Sequence, residues 1–144
     1  IFYDLGCGAG KAVFSAALMF PSLKVKGIEL LPPLFETCVK LKKRFERLVL
    51  EDPHFQKDSF DIELLQGDLR EIDFFDGTLF FLNATCFTEE DWSILQKRLS
   101  RLSVGTRLII VTRQIAIKNF KLIDARTYQM SWGPSSVYIY QKLR

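Results

Sequence analysis

The residues best suited to chemistry stand at four places, each beside an apolar run. Gly6, Gly8 and Gly10 alternate in "DLGCGAGK", with Asp4 two positions before them. Glu29 stands in "VKGIEL", nineteen residues after Gly10. Asp68 and Leu69 lie in "GDL", and Asn83 and Phe87 in "FFLNATCF". Glycine permits positive φ and lets a ligand approach the backbone with no Cβ in the way. A helix beginning just after such a loop offers free N–H groups and the positive end of its dipole. That suits a phosphate or a carboxylate. The spacing is G-x-G-x-G, not the G-x-G-x-x-G of dinucleotide sites. A carboxylate at Glu29 can accept hydrogen bonds from both hydroxyls of a ribose, and it repels a 2′-phosphate. Each feature has a plainer reading alone: a turn, a solvated strand end, a turn cap. Three of them at successive strand ends carry more weight together.

These residues need a frame. Residues 1–5, "IFYDL", read as a buried strand, and 11–20 as a helix stopped by Pro21. A second strand follows over 24–30. Pro32 and Pro33 suit the first turn of a long helix over 33–51, where no intrahelical N–H bond is lost. Its apolar face is expected at Leu34, Phe35, Cys38, Leu41, Phe45 and Leu48. Residues 51–59 read as a loose loop. Strands are predicted over 61–66, 78–84 and 107–113. Thr88 and Asp91 have capping-box spacing for a helix over 88–102, with Trp92, Leu95, Leu99 and Leu102 as its buried stripe. The end of the chain reads as two strands around a turn at Gly133 and Pro134. This alternation predicts an α/β fold: a mostly parallel sheet with helices on both faces and an antiparallel strand from the closing hairpin. In such sheets ligands sit at the carboxyl ends of the strands. The glycine loop, Glu29, Asp68 and Asn83 all fall there.

Composition narrows the classes. At 144 residues the expectation is one domain. A hydrophobic share of 48% and thirteen Phe permit a real core, and a net charge of +3 does not announce a nucleic-acid binder. Cys7, Cys38 and Cys86 lack metal-ligand spacing, and His54 is the single histidine. These counts argue against a zinc site, a His-based triad or a disulfide framework, and for an intracellular compartment. No metal and no membrane contact are expected. Lys40, Lys42, Lys43, Arg44 and Arg47 read as a solvated helix face, as do Lys97, Arg98 and Arg101. The chain starts with Ile1 inside an apparent strand, so the expectation is a domain lacking an N-terminal segment.

The glycine loop with Asp4 before it resembles motif I of class I S-adenosylmethionine methyltransferases. The resemblance implies a Rossmann-like class I methyltransferase sheet and S-adenosyl-L-methionine as cofactor. It places the cofactor's amino-acid end near Gly6, Cys7, Gly8 and Gly10, with its ammonium met by Asp4 and its carboxylate within reach of Lys11. Glu29 then takes the ribose, Asp68 the adenine amino group, and Leu69 lies against the ring. Asn83 followed four residues later by Phe87 is similar to the strand-four motif of the disruptor-of-telomeric-silencing family, roughly V-N-N-F-A-F. These are histone lysine methyltransferases without a SET domain. "GIEL", "GDL", "EEDWSILQKRLSRLSVGTRLI" and "SWGPSSVYIYQ" extend the likeness over most of the chain. Ala84, Thr85 and Lys11 depart from the family pattern, and its helical cofactor cover before strand one and its basic tail are expected to be absent.

This resemblance implies methyl transfer to a lysine of a protein substrate, of histone or nucleosome type, by a monomer. Asn83 and Phe87 are the expected catalytic residues. Phe87 would wall an apolar channel that lowers the lysine's pKa, and Asn83 would orient cofactor or amine through its carbonyl. Cys7 and Cys86 are expected to be small packing residues beside the site. The compartment is the nucleus on the histone reading and the cytoplasm otherwise. Two alternatives stay open: methylation of a small molecule or RNA on the same fold, and a methyltransferase-like binding module without activity. Contact with nucleic acid is left open.

Overall fold

β1 (Phe2–Leu5) is four buried residues with no polar alternation, the pattern of a strand covered on both faces. It pairs in parallel with β2 (Lys24–Glu29), setting Leu5 opposite Ile28. β2 pairs in parallel with β3 (Asp61–Gln66), setting Glu29 opposite Gln66. The three strands therefore end at one level, with the glycine loop, Glu29 and Asp68 at or just past their carboxyl ends. α1 (Lys11–Met19) packs against β1 and β2, and α2 (Pro32–Glu51) against β2 and β3. Phe14 of α1 stacks on Phe45 of α2 at 5.3 Å, so the two helices lie side by side. The computed structural model describes residues 1–55 and 60–144, and these elements form its first compact unit, Ile1–Ile72.

The face that α2 buries differs from the expected one. Cys38 and Val49 are buried and Phe35 and Phe45 half-buried, while Leu34, Leu41 and Leu48 are 41%, 38% and 51% exposed. The physical reason is the direction in which α2 meets β2 and β3. At about 100° per residue, Leu34, Leu41 and Leu48 stand on one flank of the apolar face, so the leucine row runs along the rim. Positions 38, 45 and 49 keep the inward direction. Of the loop expected over residues 51–59, Glu51 closes α2 and Asp52 accepts the His54 N–H at 2.9 Å. Residues 56–59 lie outside the described residues.

The second unit, Asp73–Arg144, holds four strands. β4 (Leu79–Asn83) pairs in parallel with β5 (Arg107–Val111), setting Asn83 opposite Val111. β7 (Gly133–Lys142) runs antiparallel to both β5 and β6 (Phe120–Met130). Between β4 and β5 stand a 3-10 turn, Ala84–Cys86, and α3 (Glu89–Leu99). The cap half of the expected box forms, with Asp91 N–H donating to Thr88 Oγ1 at 3.1 Å, while Asp91 Oδ2 takes the Thr88 hydroxyl at 2.7 Å in place of the Thr88 N–H. Trp92, Leu95, Leu99 and Leu102 are all buried. The helix itself stops at Leu99, where the backbone tightens to three-residue bonds, Arg101 N–H to the Arg98 carbonyl at 3.0 Å and Leu102 N–H to the Leu99 carbonyl at 3.1 Å. The hairpin turn falls before Gly133 and not on it, since Gly133 and Pro134 already pair with Met130 and Gln129. Only β6 flanks that end of β7 among the described residues, so the missing N–H of Pro134 costs no ladder bond toward β5. β5 ends at Val111, short of the expected 113, because Thr112 leaves the extended region with φ 79. No helix among the described residues is long and apolar enough to cross a membrane.

Candidate functional site

The glycine loop is tied down on the β2 side. Gly6 N–H and Cys7 N–H both donate to the Ile28 carbonyl at 2.9 Å, and Gly10 N–H closes a turn on the Cys7 carbonyl at 2.8 Å. Gly8 and Gly10 have φ 54 and 87, conformations that residues with a Cβ rarely adopt. Their surroundings differ. A Cβ on Gly10 would meet Cys38 Sγ at 2.5 Å and Phe14 at 2.7 Å, so this glycine lets α2 and α1 close behind the loop. A Cβ on Gly8 would meet nothing within 4 Å, so Gly8 faces open space. Lys11, the first residue of α1, is exposed.

Two carboxylates back this loop, Asp4 at 3% exposure and Glu29 at 6%. Glu29 is occupied on both oxygens. Oε2 accepts the Gly8 N–H at 2.7 Å and Oε1 the Leu31 N–H at 2.8 Å. It therefore sets the loop's shape as well as closing β2. An ionised carboxylate offers about four lone-pair sites, so both oxygens keep acceptor capacity. Asp4 differs. Burial, and after it the neighbouring charge of Glu29, push its carboxyl up from 3.8 to about 7. Among the described residues no hydrogen bond or cation reaches that carboxyl. A buried acid without a partner costs free energy that a cationic ligand relieves. Cys7 is buried and turned inward, where a hydrogen bond to Cys38 and burial hold its thiol well above the usual range. Its side chain packs, as expected, and only its backbone shares the loop.

At the end of β3, the Gly67 N–H donates to the Glu29 carbonyl at 3.0 Å, joining this corner to the others. Asp68 is engaged with Arg70: Oδ1 accepts the Arg70 N–H at 2.8 Å, and Oδ2 accepts Nε at 2.8 Å and Nη2 at 2.5 Å. It does cap a turn, and its carboxylate is shared with a guanidinium. Leu69 beside it is half-buried.

The second unit carries Asn83 and Phe87, both half-buried. Asn83 Oδ1 accepts the Thr85 hydroxyl at 2.6 Å and the Thr85 N–H at 3.4 Å. The backbone N–H, which can only donate, fixes which end of the amide is oxygen. The carbonyl is thus engaged locally, and the NH2 is the end with no partner among the described residues. The end expected to orient cofactor or amine is thus the one that Thr85 already holds. Phe87 stacks on Trp92 at 6.4 Å, and its carbonyl accepts Arg113 Nη2 at 2.8 Å. Arg113 also pairs with Glu89 at 3.0 Å. Cys86 is exposed, so it is not the packing residue expected; the 3-10 turn carries it out of the core.

Comparison with known proteins gives the family. The sequence model described as "Histone methylation protein DOT1" matches residues 1–138. The chain belongs to the DOT1 family. A curated relative, the H3 lysine-79 specific histone-lysine N-methyltransferase of Dictyostelium discoideum, is 29% identical over 140 residues. That match covers 92% of this chain and 7% of the relative's length. Among solved structures, an RNA methyltransferase from Salinibacter ruber in complex with S-adenosyl-L-homocysteine is 25% identical, with TM-score 0.73, 99% of this chain covered and 80% of that one. Magnesium protoporphyrin IX methyltransferase from Synechocystis PCC 6803, with bound SAM, is 13% identical with TM-score 0.72, covering 99% of this chain and 69% of that one. The chain therefore has the class I S-adenosylmethionine-dependent methyltransferase fold: a Rossmann-like, mostly parallel sheet flanked by helices, with an antiparallel C-terminal hairpin.

For this DOT1-family chain, Asp4, the glycine loop and Glu29 converge in the first unit, with Asp68 linked to them through Gly67. Asn83 and Phe87 belong to the second. Sequence reasoning missed three partners. Arg70 on Asp68 had a signal, since a donor two residues after an Asp is the spacing of an Asx turn. Arg113 on Phe87 and Thr112 near Thr85 had none, because they lie 26 and 27 residues from their partners.

Proposed function

We propose that this chain binds S-adenosyl-L-methionine and transfers its methyl group to a lysine of a histone-type protein. The observation that carries the cofactor is the uncompensated, buried Asp4 carboxyl behind a loop whose Gly8 opens outward. Such a site fits a ligand with an ammonium group. Gly6, Gly8 and the backbone of Cys7 and Gly10 would cradle the cofactor's amino-acid end, with Lys11 near its carboxylate. Glu29 would accept the ribose hydroxyls on its remaining lone pairs. Asp68 would take the adenine amino group by sharing or releasing Arg70, and Leu69 would flank the ring. When bound, the cofactor supplies a sulfonium whose methyl is already electrophilic.

Little side-chain chemistry is then required of the protein. It must align an amine with the S–CH3 bond and exclude water. Phe87, stiffened by Trp92 and Arg113, supplies an apolar wall that favours the neutral lysine amine. Asn83 presents its NH2 as a donor to an oxygen of the cofactor or substrate. In this reading residues 1–144 work as one methyltransferase domain. The lysine substrate is supported by the family match over residues 1–138 and by the relative's H3 lysine-79 specificity. The RNA methyltransferase at 25% identity supports RNA as the second reading.

Labelled S-adenosylmethionine offered with nucleosomes, total cell protein and total RNA in parallel decides among them. Label on a histone lysine is the expected result, and Asn83→Ala should reduce it about a hundredfold, roughly 2.7 kcal/mol, while keeping most cofactor affinity. Label confined to RNA would replace lysine as the acceptor. Cofactor binding without transfer in any arm would leave a binding module.

A further inference from the structure

Thr112 has φ 79, and among the described residues it alone without being glycine takes a positive φ. For a β-branched residue this is a true outlier, because the branched Cβ crowds the neighbouring carbonyl. Such strain persists only where surrounding contacts over-determine it, and it gathers at functional sites. The contacts here are specific. Thr112 follows Val111, which stands opposite Asn83 in the β4–β5 ladder, so the register brings Thr112 to the end of β4. Its N–H donates to the Ser136 carbonyl at 2.8 Å, which anchors the backbone to β7. Its hydroxyl lies 3.0 Å from that of Thr85.

The direction of these bonds follows from counting protons. The Thr85 hydroxyl has one hydrogen and donates it to Asn83 Oδ1 at 2.6 Å. The Thr112 hydroxyl must therefore be the donor to Thr85. Two hydroxyls in series, both pointing toward Asn83, polarise one another and hold its carbonyl end. The amide's other end, the NH2, is thereby aimed in one direction. All three residues are solvent-accessible to some degree, so packing does not lock this amide. The hydrogen-bond chain does.

We propose that Thr112 is a positioning residue. Through Thr85 it fixes the orientation of the Asn83 amide, so that the NH2 is presented ready-aligned to the reacting groups, and the strained φ is retained because it delivers the hydroxyl to Thr85. The inference rests on the proposed role of Asn83 in methyl transfer.

The test uses Thr112→Val, Thr112→Ser, Thr112→Gly and Asn83→Ala in the full protein. Three readouts are taken: melting temperature, the Asn83 side-chain amide resonances by 15N NMR, and methyl transfer to nucleosomes. Thr112→Val should broaden or shift the two Asn83 amide proton signals and lower kcat about tenfold, with KM for S-adenosylmethionine within about twofold, as for an interaction used in the transition state. Thr112→Ser should restore both. Thr112→Gly should melt no lower than the parent, since the strain is relieved, yet be as slow as Thr112→Val. A merely structural role would not produce a variant that is as stable as the parent and slow. Unchanged amide signals in Thr112→Val and Thr112→Gly overturn the proposal, whatever the activity. So does parental turnover in both while Asn83→Ala is slow. If Asn83→Ala itself turns over at the parental rate, the proposed function fails instead, and the amide signals alone decide the hydrogen-bond chain.

Discussion

Asp4 and Glu29 are two buried acids with opposite situations. Glu29 is satisfied by two backbone N–H groups, and Asp4 by none among the described residues. The difference yields a signed pH dependence. Folding raises Asp4 from 3.8 to about 7, so between these values the folded chain holds a proton that the unfolded chain has lost. Stability from this group is full below the unfolded value and is lost as pH rises through about 7, an upper bound of about 4 kcal/mol. Asp4→Asn should thus raise the melting temperature of the ligand-free chain at pH 8, with the gain shrinking toward pH 4. Glu29 and the Cys7 and Cys38 thiols are the titratable neighbours of that site, and a gain independent of pH would assign the effect to them or to packing. Glu29→Ala should weaken S-adenosylmethionine binding by about 1.5–3 kcal/mol in calorimetry, the range for hydrogen bonds to a charged group. Glu29→Gln should lose almost as much. Both oxygens now face N–H donors, and an amide NH2 would set donor against donor.

Helices α2 and α3 show how burial, and not apolar character, carries stability. Leu99 on α3 is fully buried and Leu41 on α2 is 38% exposed. Leu99→Ala should cost about 2–5 kcal/mol by urea unfolding, from lost transfer energy and a cavity. Leu41→Ala should stay within about 0.5 kcal/mol of the parent, as for a surface change that opens no cavity. Equal losses at the two positions would mean that the leucine row of α2 is covered in solution. α3 adds its own terminal support, with the Thr88 cap and three acids in the first turn against Lys97 and Arg98 in the last.

For the molecule as a whole, ligand choice is the sharpest test. S-adenosylmethionine or its demethylated product should raise the melting temperature by the equivalent of about 2.7 kcal/mol at a hundredfold excess over Kd. NADP should not, because its 2′-phosphate meets the Glu29 carboxylate. Hydrogen-exchange protection gained on binding should concentrate at residues 4–10, 28–31 and 67–70, the three strand ends of the first unit. A shift with NADP alone would remove the cofactor assignment.

Much of this was legible in the chain because it depends on near neighbours. The order of strands and helices, the Thr88–Asp91 cap, the 92–95–99–102 stripe and the loop's need for glycine are set by residues a turn or two apart, and local periodicity reports them. Tertiary structure decided what depends on distant partners. Glu29 is occupied by Gly8 because parallel pairing brings residues 21 apart together. Asp4 holds its proton up to about pH 7 because the strands and helices around it bury the carboxyl, beside the charge of Glu29, without supplying a cation. The rim position of Leu34, Leu41 and Leu48 follows from how α2 meets β2 and β3, which its sequence period alone does not fix. The orientation of Asn83 was illegible for the same reason. Its carbonyl is held by a hydroxyl chain that begins on Thr112, and only the register of β4 against β5 brings that residue to it.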